Sequence, residues 1–291
     1  GKIPGAMKAY FDFINANGGV YGRKIKLVVR DDKYLPTLAA TQTTNLVLKD
    51  GVFALVAALG TATHSKAYAA ASLATKKVPD LFVNTGFSGF GNQAKYPTTF
   101  TVLPSYAMEA KIISKFVKDK FPGQAVALVA QDDEFGVDGV NGFAAGSLTL
   151  ASKTLYPQSS MTDARAKALV TGLSAIPGKP VVILFGTTDV TALIFKAAES
   201  LNLVSKFTWI AGSVGGDANT LLALGVKTTT IDGAIAASFF PDAKDTTDEY
   251  VAEFSKINSK YNPGVTFDNV VLQGMNSAML TVQALRAAGK N

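Results

Sequence analysis

Gly18-Gly19-Val20-Tyr21-Gly22-Arg23-Lys24-Ile25-Lys26-Leu27-Val28-Val29-Arg30-Asp31-Asp32 is the stretch from which the fold can be read. Just before it, apolar residues recur at helical spacing, which predicts a helix over residues 6–17. The glycines end that helix, because glycine reaches backbone conformations that stop a helix at little cost. Lysines then alternate with aliphatic residues from 24 to 30. That is the period of a half-buried strand, and Asp31 and Asp32 stand at its end.

The rest of the chain repeats the alternation. Short apolar segments at 52–57, 80–83, 100–103, 125–130, 181–185, 207–211 and 231–236 read as strands. Amphipathic helices are predicted between them at 37–49, 64–76, 106–121, 135–151, 163–175, 190–202 and 245–260, with another at 270–288. Buried aliphatic strands that alternate with helices assemble into parallel sheets through right-handed crossovers, so the chain is α/β. Two segments, 99–104 and 236–241, end in Pro104 and Pro241. Proline stops a strand from simply continuing, and both segments read as crossings between two lobes.

A length of 291 residues suits two ordinary domains or one large one, and 48% hydrophobic residues are enough for a sizeable core. No run reaches the roughly 18 apolar residues of a membrane helix. The net charge is +6, yet the lysines are scattered, as at Lys24 and Lys26, Lys76 and Lys77, and Lys115, Lys118 and Lys120. Nucleic-acid binding needs a basic stripe interleaved with aromatics, and none is present. The absence of cysteine excludes disulfides, thiolate metal sites and a cysteine nucleophile. His64 is the only histidine and has no G-x-S-x-G elbow near it; no H-E-x-x-H, P-loop or strand-followed G-x-G-x-x-G occurs. No catalytic residue, cofactor or metal is therefore expected. The acidic run Asp132-Asp133-Glu134 lacks the later oxygen ligands of a calcium loop, and Asp132 or Asp133 reads better as a helix cap.

The phrase INANGGVYGRKIKLVVRDD at 14–32, together with Gln131-Asp132-Asp133-Glu134-Phe135-Gly136, resembles the branched-chain amino-acid (leucine/isoleucine/valine)-binding family. These are extracytoplasmic solute receptors of ABC importers with the type I periplasmic-binding-protein fold. The resemblance covers almost the whole chain. It implies two doubly wound parallel-sheet lobes joined by a hinge, with residues 1–102 plus 242–291 as lobe one and 103–241 as lobe two. It also implies that solute docks on lobe one and lobe two closes over it. The family normally has a strand before the first helix and a third crossing between lobes, which here would lie beyond Asn291. A periplasmic or cell-surface location is implied, with any signal segment outside residues 1–291. The implied partners are a small-molecule solute and the membrane subunits of a cognate ABC importer, and no nucleic acid.

The candidate site lies in loops at the carboxyl ends of strands, where open α/β sheets take ligands. Leu59-Gly60-Thr61-Ala62-Thr63-His64 opens a helix. Its free amides and the Thr61 and Thr63 hydroxyls suit an anion, and the same residues suit a plain helix cap. The resemblance puts Thr61 where the family holds the ligand carboxylate. In Asn84-Thr85-Gly86-Phe87-Ser88, Gly86 and Ser88 match positions that hold the solute's polar head; the alternative is a glycine-bearing turn with Phe87 in the core. Phe135 matches the aromatic that covers the ligand from lobe two. In Phe185-Gly186-Thr187-Thr188-Asp189, Thr187 and Thr188 stand where an aromatic is common. In the loop from Ala211 to Asp217, Ser213 and Val214 stand where the amino-acid receptors carry a Glu that pairs with the ligand ammonium. An unpaired buried ammonium is costly, so an apolar or aromatic carboxylate or an amide is expected ahead of an amino acid. The expected site is Thr61, Ala62, Thr63, Thr85, Gly86, Phe87, Ser88, Phe135, Thr187, Ser213 and Val214. The rival readings are a branched-chain amino-acid binder proper, a ligand-sensing regulatory protein of the same fold, and an enzyme of unrecognised type.

Overall fold

The computed structural model describes residues 1–290. The chain divides into two compact units, one formed by Gly1–Leu103 with the segment from Phe240 onward, the other by Pro104–Phe239.

In the first unit the helix Lys2–Ala16 buries Ala6, Met7, Tyr10, Phe11 and Ile14 against the helix Asn269–Ala288, which contributes Val271, Leu272, Met275, Ala278 and Val282. Three short parallel strands form its sheet in the order β1 (Leu55–Val56), β2 (Asp80–Val83), β3 (Thr99–Thr101). Leu55 pairs with Asp80, and Asp80 with Thr99. A second apolar cluster of Leu55, Tyr68, Leu73, Val83, Phe90 and Tyr96 packs against this sheet.

Residues 24–30 do not form the expected strand. Their alternation places Ile25 and Leu27 against the core, but Val29 stays 57% exposed. A strand is completed by ladder bonds to a neighbour, and among the described residues nothing pairs with this segment. The Asn15 side chain substitutes locally: its amide donates to the Ile25 carbonyl and its oxygen accepts from the Ile25 amide, both at 2.8 Å. For the same reason the predicted 52–57 strand shrinks to β1, which pairs on one side only. The helix expected at 64–76 is two helices, Thr61–Ala70 and Leu73–Lys76, interrupted where Ser72 turns left-handed at φ +54°.

The second unit is a doubly wound parallel sheet. Its strands are β4 (Val126–Gln131), β5 (Ser152–Tyr156), β6 (Val181–Phe185), β7 (Thr208–Ala211) and β8 (Ile235–Ala236), in the spatial order β5-β4-β6-β7-β8. Every residue of β4 and β6 is buried, because helices cover both faces of the sheet centre. The chain leaves β4 toward one edge, then returns from β5 past β4 to β6, so the direction of winding switches between β4 and β6. Strand β5 was not expected: Ser152-Lys153-Thr154-Leu155-Tyr156 is a short, half-polar edge, and the preceding helix ends at Ala145 rather than 151. The predicted 231–236 strand shrinks to β8 behind a helical turn at Thr228–Ile231. No helix among the described residues is long and apolar enough to cross a membrane.

Candidate functional site

Each unit gathers sequence-predicted residues at the carboxyl ends of its strands. In the first unit the loops after β1 and β2 are tied together. Gly60 donates its amide to the Asn84 carbonyl at 3.2 Å, and Asn84 donates to the Ala58 carbonyl at 2.8 Å. Gly60 sits at φ +93°, and a Cβ there would come within 2.5 Å of the Tyr34 ring and 2.6 Å of Thr63 Oγ1. Glycine is the residue that fits both constraints. Gln273 pins the second loop from the C-terminal helix, donating to Asn84 Oδ1 at 2.7 Å.

This scaffold starts the helix Thr61–Ala70, which has no side-chain N-cap. The amides of Thr61, Ala62 and Thr63 have no carbonyl one turn back to bond, so the helix start favours negative charge. The Thr61 and Thr85 hydroxyls lie 2.7 Å apart, and both side chains are buried. Thr63 is also buried, and its hydroxyl donates to the Leu59 carbonyl at 2.5 Å. Ala62 is half-buried, Gly86 buried and Ser88 exposed at the start of a 3-10 turn. Phe87 is half-buried and meets Phe90 edge-on at 5.1 Å between centroids.

His64 points away into the core. Its Nε2 lies 2.8 Å from Asp80 Oδ2, both side chains are buried, and Phe90 and Tyr68 enclose the ring. Asp80 opens β2, at the end of the strand opposite to the loops that follow β1 and β2, so this pair belongs to the packing of the unit.

In the second unit a shallow recess lies at the carboxyl ends of β6 and β7, beside the winding switch. Phe135, Phe185, Gly186, Gly212, Ser213, Val214 and Glu109 line it. Phe135 is buried, its ring 4.6 Å from Tyr106 and 5.3 Å from Phe185, so it is as much core as wall. Its position is set by Asp133, which caps the helix Glu134–Ala145: Oδ1 accepts from the amides of Phe135 at 3.0 Å and Gly136 at 3.3 Å, and Oδ2 from Gln131 Nε2 at 2.6 Å. The acidic run thus does the capping work expected of it. Gly136 lets the helix start turn tightly on β4, since a Cβ there would stand 1.8 Å from the Gln131 carbonyl oxygen. Thr187, half-buried, precedes the helix Thr188–Ser200, and Thr188 Oγ1 donates to the Val214 carbonyl at 2.8 Å.

Sequence reasoning missed Glu109. It lies in the first turn of the helix Tyr106–Lys120, which Ser105 caps, and there it looks like one more polar residue of an amphipathic helix. In the fold its carboxylate accepts from the Ser213 amide at Oε1 and from Ser213 Oγ at Oε2, both at 2.7 Å. Burial pushes its pKa up, against the two Ser213 bonds that favour the ionised form. The loop at 213–214 carries no acid of its own, but an acid does reach it. The proximity to Asp133 of the cap residues was legible; that of Glu109 to Ser213 was not, because 104 residues separate them.

The whole chain can be compared with known proteins. No curated protein sequence matches it. A substrate-binding periplasmic protein from Ralstonia solanacearum superposes with a TM-score of 0.86 at 20% identity, over 100% of this chain and 80% of the other. A branched-chain amino-acid ABC transporter protein from Thermus thermophilus, solved with bound valine, gives 0.83 at 19% identity, over 99% and 73%. A solute-binding protein of an ABC transporter from R. palustris, in complex with benzoate, gives 0.77 at 19% identity, over 99% and 76%. These likenesses establish the fold, the type I periplasmic-binding-protein architecture anticipated from the sequence. The profile described as "Periplasmic binding protein" matches residues 5–291, and the chain accordingly belongs to the periplasmic binding protein family.

Proposed function

We propose that this chain is the extracytoplasmic solute receptor of an ABC importer, a binder and not an enzyme, and that its solute is a small molecule with a carboxylate head and an apolar body. Residues 1–102 and 242–291 serve as one lobe and 103–241 as the other. The observation that carries this reading is the helix start at Thr61, where amides without a cap and the Thr61–Thr85 hydroxyl pair form an anion-holding edge at the carboxyl ends of β1 and β2. Family membership supports export, the importer as partner, and binding rather than turnover. The relatives solved with valine and with benzoate both carry a carboxylate on their ligand, which fits the same head group. Thr61, Ala62, Thr63, Thr85, Gly86 and Ser88 supply the polar contacts of the first lobe, and Phe87 lies beside them. Phe135, Thr187, Ser213 and Val214 supply the edge of the second.

The test is the identity of what the protein carries. Mass spectrometry after mild denaturation of the purified protein is expected to release a stoichiometric small carboxylate. A co-purified molecule without a carboxylate, or one that the protein converts to product on incubation, would overturn the reading.

A further inference from the structure

The two ends of the second unit's sheet carry opposite charge. Its strands all run parallel, so the segments that enter them share one edge and the loops that leave them share the other. Asp133, Asp163, Asp189 and Asp217 stand at helix starts on the carboxyl edge. The amino edge holds lysines instead. Lys118 and Lys120 lie in the last turn of the helix that precedes β4, Lys153 near the start of β5, Lys179 just before β6 and Lys206 just before β7. Val181 pairs with Thr208, and the same register sets Lys179 beside Lys206, whose Nζ donates to the Gly178 carbonyl at 2.7 Å. Taken in the sheet order β5-β4-β6-β7, the lysines form a row about 14 Å long at the usual strand spacing. Lys118, Lys120, Lys153 and Lys179 are exposed, and Lys206 is half-buried. Of the acids nearby, Asp119 is paired with Lys115, and Asp232 stands at the far margin before β8. The helix dipole favours lysine in a last turn, which accounts for Lys118 and Lys120. It has no bearing on Lys153, which is on a strand, or on Lys179, which is in a loop.

We propose that this basic edge is a docking surface for a bilayer that bears anionic phospholipid headgroups. The residue types decide the class of partner. Lysine ammoniums are point charges on flexible stems, suited to a fluid field of phosphates rather than to fixed bidentate recognition. A protein partner is anchored by aromatic or arginine side chains, and a single nucleic-acid strand by stacked aromatics; no arginine and no exposed aromatic stands in this row. Phe121 beside Lys120 and Ile176 near Lys179 are packed onto the cores of the unit, so the attraction is electrostatic and reversible rather than an insertion. The recess at Ser213 lies at the opposite end of the strands and stays clear of the lipid. The proposal stands apart from the receptor reading, since it involves no solute.

The test is co-sedimentation of the intact chain with vesicles of phosphatidylcholine alone and with about a third of phosphatidylglycerol, at low ionic strength. Wild type is expected to partition onto the anionic vesicles only, and to be released in about 1 M salt, where the screening length is about 3 Å. Two double variants then locate the charge. Lys120→Glu with Lys179→Glu reverses two exposed members of the row, and Lys76→Glu with Lys256→Glu makes the same change in net charge on exposed positions of the first unit. The row variant is expected to lose about tenfold or more of its partition coefficient, and the first-unit variant to stay within about twofold of wild type. Melting temperatures check that both variants fold. An equal loss in the two variants would assign the attraction to the net charge of the chain and overturn the proposal. So would undiminished binding by the row variant, or no binding of wild type to the anionic vesicles. Wild type that ignores the vesicles yet is retained on immobilised polyglutamate would make an acidic protein the occupant, which also overturns the lipid assignment.

Discussion

Thr61 Oγ1 lies 2.7 Å from Thr85 Oγ1, and this contact joins the first turn of the helix after β1 to the loop after β2. Both side chains are buried, so the two hydroxyls belong to the fold as well as to the proposed anion site. Thr85 Oγ1 also accepts from the Phe87 amide at 3.2 Å, which links the pair to the aromatic beside it.

Replacing Thr61 by Val keeps the shape and removes one hydroxyl of the pair. Affinity for a carboxylate solute is expected to fall by about 1–3 kcal/mol. Burial adds a second effect that an exposed loop would not show: the unliganded protein is expected to lose about 1 kcal/mol of stability. Calorimetry reads the first and urea denaturation the second. An unchanged affinity would remove Thr61 from the site, and an unchanged urea midpoint would contradict the buried pair.

Glu109 sets a pH dependence of stability. Its pKa is raised by burial in the folded state, so the folded protein holds the proton more readily than the unfolded chain does. The stabilisation from that protonation is full below the ordinary carboxylate range and is lost as pH rises through the raised value. Asp133 is raised by burial as well and acts in the same direction. Glu109→Gln should therefore flatten the decline over that window, gaining on wild type as pH rises. Denaturation midpoints measured at a series of acid pH values check this; identical slopes for the two proteins would show that the Glu109 carboxylate is not desolvated.

The buried pair of His64 and Asp80 carries packing rather than chemistry. Asp80 Oδ2 lies 2.8 Å from His64 Nε2 and accepts from Thr99 Oγ1 at 2.7 Å, inside the apolar cluster of the first unit. Asp80→Ala leaves a buried imidazole and a buried hydroxyl without this partner. The expected cost is about 2–4 kcal/mol of stability, read as a shift in the urea midpoint at constant slope. A midpoint equal to that of wild type would mean that the cluster tolerates both groups unpaired.

Much of this molecule is local in origin. Strands β4 and β6 were legible because an unbroken aliphatic run of strand length, bounded by turn residues, is stable only with both faces covered. The helices from 106 and 163 onward were legible from their apolar period, and the cap at Asp133 from an acid standing just before such a period. The loops that follow the strands could be placed together at the carboxyl edge of each sheet, since in a parallel sheet strand direction alone decides where each loop emerges.

Tertiary structure decided the rest. The alternation at 24–30 describes which side chains turn inward, but a strand exists only when a neighbour completes its ladder, and neighbours are assigned by the whole sheet. Whether Thr61 is solvent-lined or buried depends on Thr85 and on the loop that Gln273 holds from the far end of the chain. The charge of the second edge depends on Glu109 meeting Ser213 across 104 residues, a meeting that no window of sequence contains. Local periodicity encodes which surface each segment buries; the encounter of polar groups from distant segments is fixed only when those buried surfaces have packed.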